Sequence, residues 1–364
     1  MRLLHLSPLG LTPWPADAPG LPEQGFVWCV AQQEALDTAD GALTALLHRW
    51  GLPPPLELHL RDLLNPQHPS NHDATRDYDL LVFRQLVLDE PGAEPATPSP
   101  PAHRLRGGKA GGPPILARLG TQPVGFVVYD RLLITVHGPR CTTDDQMATR
   151  LADLNPARLP TTPADLMLRM LNDMVDRFLA LRKPLTEQLD HWEAELLDPS
   201  TRFVNWRALL AARNNLHALE DLCDGQRQAV QQWLQGLAQQ PPTATQEAQM
   251  EREMLGVRAR DVIEHIDRVV RHVQRLEQNA ESAVQMHFSA QSHRTNEIMK
   301  TLTALTAVFL PLNLITGFFG MNFEFLPLIH STAGLWWAVG AMTTIAVSLV
   351  AVFWRKRYLA RAGR

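Results

Sequence analysis

Cysteine is scarce: Cys29, Cys141 and Cys223 lie far apart in 364 residues. No CxxC pair occurs, so the spacing indicates neither a disulfide framework nor a thiolate zinc site, and a reducing compartment fits. Excess positive charge is also lacking. A formal net charge of -4 and a pI near 6.4 leave no basic stripe of the kind a nucleic-acid partner requires. No GxxxxGK[ST] loop is present, so nucleotide hydrolysis is not expected to drive any process here. The opening MRLLHLSPLG has one Arg and a short apolar run broken by Pro8, too little for a secretory leader, and the bulk of the chain is expected in the cytosol. Residues 1–160 show no nucleophile–base grouping and no cofactor loop, so neither an enzyme nor a resident cofactor is expected.

What the chain does contain is graded along its length. A mean hydropathy of -0.15 resembles a soluble protein, but the average hides a steep apolar rise toward the C-terminus. Residues 1–160 mix strand-like runs at Gly25–Ala31, Leu80–Leu88 and Val124–Val136 with a helical stretch at Ala35–Trp50, which predicts a cytoplasmic α/β domain. Pro91–Pro114 is too rich in Pro and Gly for a core element and reads as an exposed loop. Its Arg104, Arg106 and Lys109 are read as solvated, with lipid phosphate or a partner as the other reading. After Pro156, Pro160 and Pro163, apolar residues at Leu166, Met170, Leu171, Met174, Phe178, Leu181, Leu185 and Leu189 predict one amphipathic helix. Asn205–Leu237 repeats the pattern, so 161–242 is expected to form a helical pair ending at Pro241 and Pro242. Between Ala244 and Pro311 there is no proline, and the one glycine is Gly256. A helix from there to Phe319 would be about 110 Å long, so residues 243–300 are read as a stalk.

Residues 301–319 carry no charge and match the length of a membrane-spanning helix. A second charge-free run, 335–354, is followed by Arg355, Lys356 and Arg357 in a basic tail, 355–364, while the connecting loop 320–334 has no Lys or Arg. The positive-inside rule then places both termini in the cytoplasm. Trp336, Trp337 and Trp354 lie near the ends of the second span, where aromatic rings favour the interface. Stepping by three and four from Asn296 gives Met299, Thr303, Thr306, Leu310, Asn313, Gly317 and Gly320, a small or polar stripe on a heptad spacing. Such a stripe implies several first spans packed around an axis, either as a conduit wall or as glue between helices. Two spans per chain cannot enclose a conduit, so a transport reading requires an oligomer.

The first span ends in Gly320, Met321 and Asn322, followed by FEFLP. With the preceding FLPLNLITGFFG, the long upstream helix, one last span and a basic end, this resembles the CorA family of magnesium transporters. The likeness is specific over 244–364 and general before that. It implies a funnel-like homopentamer in a bacterial-type inner membrane, with first spans lining a pore and the second spans outside them. It also implies that Asn322 and Gly320 carbonyls form an outer entrance for hydrated divalent cations, magnesium before cobalt or nickel. Neutral oxygens suit an ion that dehydrates reluctantly; capping the helix end is the other role open to Asn322. By the same resemblance Asn296 and Met299 line the pore, and Met299, Leu302 and Leu310 form a hydrophobic gate. Asp261 becomes a regulatory acid that binds cytoplasmic cation with Asp79, Asp89 or Glu90 of a neighbouring subunit. Phe319 replaces a tyrosine found in many magnesium-transporting members and keeps a proton-coupled zinc transporter open as the alternative. Glu324, the one acid in the outer loop, could attract cations or assist such coupling, or be merely solvated. His68 with His72 and His265 with His272 lack the geometry and thiolate of a zinc site. A membrane-anchored scaffold is the remaining reading.

Overall fold

Apolar and β-branched runs become strands wherever turn formers bound them, and the sheet assembles these runs on both sides of a parallel core pair. The computed structural model describes residues 1–37, 41–88, 119–139, 141, 143–197, 206–241, 245–321 and 332–355. Seven strands are present among them: β1 (Arg2–Ser7), β2 (Gly10–Pro13), β3 (Phe26–Gln32), β4 (Asn71–Ala74), β5 (Asp79–Leu88), β6 (Leu119–Val128) and β7 (Leu132–His137). Their order is β2-β1-β3-β7-β6-β5-β4. The β3–β7 pair is parallel, with Cys29 opposite Ile134, and the other pairs are antiparallel. All residues of β7 are buried, as a strand covered on both faces requires.

The two faces carry different helices. On one, Val27, Cys29, Val82, Val127 and Ile134 pack with Leu43, Leu46 and Leu47 of α2 (Ala42–Arg49) and Leu63 of α3 (Glu57–Leu64). On the other, Trp28 donates its indole N–H to Thr135 Oγ1 at 3.1 Å, and Thr135 in turn donates to Asp144 in α4 (Thr143–Asp153) at 3.4 Å. The helix α5 (Pro163–Ala180) lies against β3, β5, β6 and β7 and buries Leu166, Met167, Met170, Leu171 and Met174. Pro163 at its first turn and Thr162, whose hydroxyl accepts from the Asp165 N–H at 3.3 Å, fix where α5 begins. The α/β class expected for this region is therefore observed.

Three expected elements divide. The Ala35–Trp50 stretch forms α1 (Gln33–Asp37) and then α2, with Gly41 between them at φ 56, a left-handed conformation that ends helical continuity. Val124–Val136 is two strands, because the Tyr129 N–H donates to the Leu132 carbonyl at 2.8 Å and closes a turn over Asp130 and Arg131. The helix read through Leu166–Leu189 breaks at Leu181 into α5 and α6 (Arg182–Leu197). Pro184 has no N–H to offer the Ala180 carbonyl, so the 3.6-residue period continues while the helix does not.

The long helices follow the apolar pattern. They are α7 (Trp206–Gln239), α8 (Gln246–Phe319) and α9 (Thr332–Arg355). Contacts divide the chain into Met1–Glu281 and Ser282–Arg364. In the first unit, α7 lies on β4 and β5, where buried Gln226 donates to the Arg84 carbonyl at 2.6 Å. The N-terminal part of α8 buries Leu255, Ala259, Val262, Ile266, Val269, Val273, Leu276 and Ala280. Polar contacts hold its flanks: Arg258 pairs with Asp165 of α5 at 2.7 Å, and His217 of α7 lies 2.6 Å from Glu277. The second unit contains the rest of α8 and α9, each with a stretch long and apolar enough to cross a membrane.

Candidate functional site

Within Ser282–Arg364, exposure has a direction. Along the apolar end of α8, burial is confined to one side: Ala304 is buried, and Ala307, Val308, Pro311, Leu312, Ile315 and Phe319 are half-buried. On α9, Gly334 and Ala338 are buried, with Ala341, Met342, Ile345, Ala346 and Leu349 half-buried. At 100° per residue the stripe read from the sequence falls roughly opposite the covered side of α8. Asn296, Met299, Thr303, Thr306, Leu310, Asn313, Gly317 and Gly320 are all exposed. The residues expected to form the gate are far from covered: Met299 is 59%, Leu302 58% and Leu310 68% accessible.

The polar members of the stripe divide by chemistry. Thr303 and Thr306 donate their hydroxyls to the Met299 and Leu302 carbonyls at 2.8 and 2.9 Å, so the helix itself satisfies their protons. Each hydroxyl oxygen keeps acceptor capacity on the exposed side. Asn313 has no such internal outlet: its amide has no hydrogen-bond partner among the described residues, which is costly in lipid unless a partner or water meets it. Upstream, every residue from Phe288 to Thr303 is exposed, with Phe288, Ile298 and Met299 among them.

The signature terminates α8. Gly320 donates its N–H to the Thr316 carbonyl at 2.9 Å, and Met321 donates to Phe318 at 3.4 Å. A Cβ on Gly320 would lie 2.9 Å from that Thr316 oxygen, so a side chain here strains the last turn. Phe319 stacks edge-on against Phe318. Asn322 and Glu324 lie outside the described residues, as do Arg104, Arg106, Lys109, Asp89 and Glu90.

Asp261 sits in the first unit, at the edge of a cleft of about 500 Å³ lined in part by Arg150, Arg158, Arg169 and Arg258. Most of this positive charge is already answered. Arg169 and Arg258 converge on Asp165 at 2.9 and 2.7 Å, and Arg150 pairs with Asp173. The Asp261 carboxylate is 58% exposed, with His265 at 3.9 Å as its neighbour. The same ring lies 3.2 Å from Asp176 of α5, so His265 stands between two carboxylates of this chain. Asp79, at the start of β5, faces His72 at 3.8 Å. The four histidines singled out in the sequence stay in separate contacts: His68 meets Asp62 at 3.3 Å, His265 meets Asp176 at 3.2 Å, and His272 meets the Arg182 carbonyl at 3.1 Å.

Two groupings were missed in the sequence: one is His217, Glu220 and Glu277, partly exposed on α7 and α8, and the other is buried. His137, Cys141 and Asp144 are all buried, and their ligand atoms lie within 4.8 Å of one another. Burial drives the Asp144 carboxyl up to about 6, opposed by the nearby His137, and also raises the Cys141 thiol. The signal that could have found it is H-x3-C-x2-D across the end of an apolar strand. No CxxC is involved, so a search for paired cysteines passes over it.

A family model described as CorA-like Mg2+ transporter protein matches residues 113–357. The chain belongs to the CorA family. The CorA match takes in Asp261, the stripe and the signature, whereas residues 1–112, which hold β1 to β5, precede it. The cobalt/magnesium transport protein CorA of Thermotoga maritima is 27% identical over 197 residues, 54% of this chain and 53% of that protein. The chain thus matches about half the length of this CorA relative. In fold, the complete CorA magnesium transporter from Methanocaldococcus jannaschii superimposes with a TM-score of 0.69 at 18% identity, covering 98% of both chains. The ZntB cytoplasmic domain from Vibrio parahaemolyticus gives 0.54 at 13% identity, covering 80% of this chain and 98% of that one. Both solved structures share the CorA-type arrangement of an α/β domain, a long helix and, where complete, two C-terminal apolar helices.

Proposed function

We propose that this chain forms a homopentameric, CorA-type channel in a bacterial-type inner membrane, with both termini cytoplasmic, that admits divalent cations, magnesium first. The observation that carries the reading is the exposed stripe from Asn296 to Gly320, roughly opposite the side of α8 that is covered. A lone span would have no use for a continuous small and polar face in lipid; five such faces around an axis give a wettable wall. Membership in the family, and the transport named for its relatives, support the same assignment. In it, Asn322 amides and Gly320 carbonyls hold the hydrated ion at the outer mouth, with Met321 beside them. Asn296, Thr303, Thr306, Asn313 and Gly317 line the path, and Met299, Leu302 and Leu310 narrow it to a hydrophobic gate.

The driving force is the membrane potential, which supplies about 4.6 kcal/mol per 100 mV for an inward dication, twice the value for a unit charge. Cytoplasmic cation bound at Asp261 with an acid of the neighbouring subunit, Asp79, Asp89 or Glu90, favours closure. No resident cofactor enters this scheme; the cation is both cargo and regulator, and lipid and four further copies of the chain are the partners. Phe319 favours a second reading, proton-coupled zinc transport, because the hydroxyl that a tyrosine would supply beside the mouth is missing.

The test is cation uptake into proteoliposomes, with magnesium, zinc, cobalt and nickel compared under an imposed voltage or pH gradient. Voltage-driven magnesium entry is expected, and Asn322→Ala should abolish it while leaving the pentamer intact. Zinc entry that follows the pH gradient would establish the second reading. Folded oligomer that passes no divalent ion above empty vesicles would leave the scaffold alternative.

A further inference from the structure

The buried trio at the end of β7 belongs to neither the pore nor the exposed face of α8. His137 closes β7, Cys141 follows in the connection, and Asp144 lies in the first turn of α4. His137 Nδ1 is 2.8 Å from the Gly138 carbonyl oxygen, which can only accept, so Nδ1 carries the proton. In the neutral ring Nε2 is then a lone-pair nitrogen, yet it faces Asp144 Oδ2 at 3.1 Å. Two acceptors this close need a cation between them, a proton or a metal ion. The other carboxylate oxygen of Asp144, Oδ1, is buried without a hydrogen-bond partner, on a residue that is 2% exposed. Such an orphaned acceptor in a site this dry requires an explanation.

We propose that His137 Nε2, Cys141 Sγ and an Asp144 carboxylate oxygen bind a transition-metal dication of the zinc class. Imidazole, thiolate and carboxylate together are a three-ligand set for tetrahedral zinc, with a fourth position for water. The Nδ1–H bond to Gly138 is the outer contact that fixes the tautomer and aims Nε2 at the ion. Magnesium is the wrong ion for this site, because it demands oxygen ligands and retains its water. The thiolate form of Cys141 is the ligand, so binding displaces its proton. The bound ion ties the end of β7 to the start of α4. This site would hold a metal chemically distinct from magnesium, and it does not depend on the pore assignment.

The untagged full chain in detergent, purified through chelator, is titrated with cobalt(II) and then zinc. One cobalt per chain is expected to give a thiolate-to-cobalt charge-transfer absorption that zinc abolishes and a large excess of magnesium does not. Cations in the proposed pore cannot give this signal, because residues 296–322 contain no cysteine. The His217, Glu220 and Glu277 cluster lacks a thiolate and is equally silent. Cys141→Ser should lose the absorption and Cys223→Ser should keep it. An oligomeric, folded protein without the absorption overturns the site, as does absorption that survives in Cys141→Ser. Should Cys141→Ser fail to fold, alkylation of Cys141 in the wild-type chain is mapped under mild urea. Protection by zinc but not magnesium supports the site, and equal alkylation with and without zinc overturns it.

Discussion

Burial governs the chemistry of single residues in the α/β unit. The thiols of Cys29 and Cys223 are pushed up to about 12 by removal from water, with Asp224 adding to the effect at Cys223. At about pH 8 a thiol of that pKa is roughly one part in ten thousand thiolate, the form that reacts. Iodoacetamide should therefore label both cysteines only as the protein unfolds; mass spectrometry of the peptides along a urea series reads this directly. Backbone geometry sets a second constraint. Gly25 has φ 76, and a Cβ there would meet the Leu6 carbonyl oxygen at 2.0 Å. Gly25→Ala should cost at least about 1–2 kcal/mol for the left-handed conformation alone, with the clash added, and should lower the thermal midpoint measurably. Neither constraint was legible in the sequence. A glycine before a strand and an isolated cysteine look ordinary until the neighbouring strand and helix are in place.

At the scale of elements, helix type was easier to read than helix continuity. The three-to-four spacing of Leu166 to Leu189 survives the break at Leu181, since α5 and α6 each keep an apolar side, buried at Met174 and Phe178 in one and at Leu185 and Leu189 in the other. Pro184 was present in the sequence, and its missing N–H is the physical reason for the break. Pro311, by contrast, lies inside α8, where the helix continues past it. The stripe on α8 was fully legible, because a period alone places residues on one side of a helix; which side is covered was not. Leu310, 68% exposed within the stripe, gives a prediction for the element. Leu310→Ser should raise resting cation leak severalfold by wetting the proposed constriction, while leaving thermal stability nearly unchanged. Flux into liposomes without activation checks the first part and calorimetry the second.

At the scale of the whole molecule, the single chain leaves its apolar end uncovered. Leu314, Trp336, Trp337 and Trp354 are each 73–74% exposed, which water would penalise and which lipid and neighbouring subunits would relieve. The proposed regulation by cytoplasmic cation belongs to this scale as well, because in that proposal Asp261 acts with an acid of a neighbouring subunit. Asp261→Asn should raise the internal magnesium concentration needed for closure by roughly 5- to 150-fold, the usual range for a coupling between sites. Flux measured against internal magnesium reads the shift, and unchanged inhibition would assign Asp261 to the solvated surface of α8.

The sequence by itself determined the class of the protein: charge-free runs of spanning length, a heptad stripe and the Gly320–Met321–Asn322 ending are local patterns, and local patterns need no third dimension. Tertiary structure alone decided how the pieces meet. It set the parallel β3–β7 pair inside an otherwise antiparallel sheet and the ion pairs that answer the arginines beside Asp261. It also enclosed His137, Cys141 and Asp144 in one dry site. Burial and distance are properties of the folded chain, and both the trio's proton balance and its proposed metal depend on them.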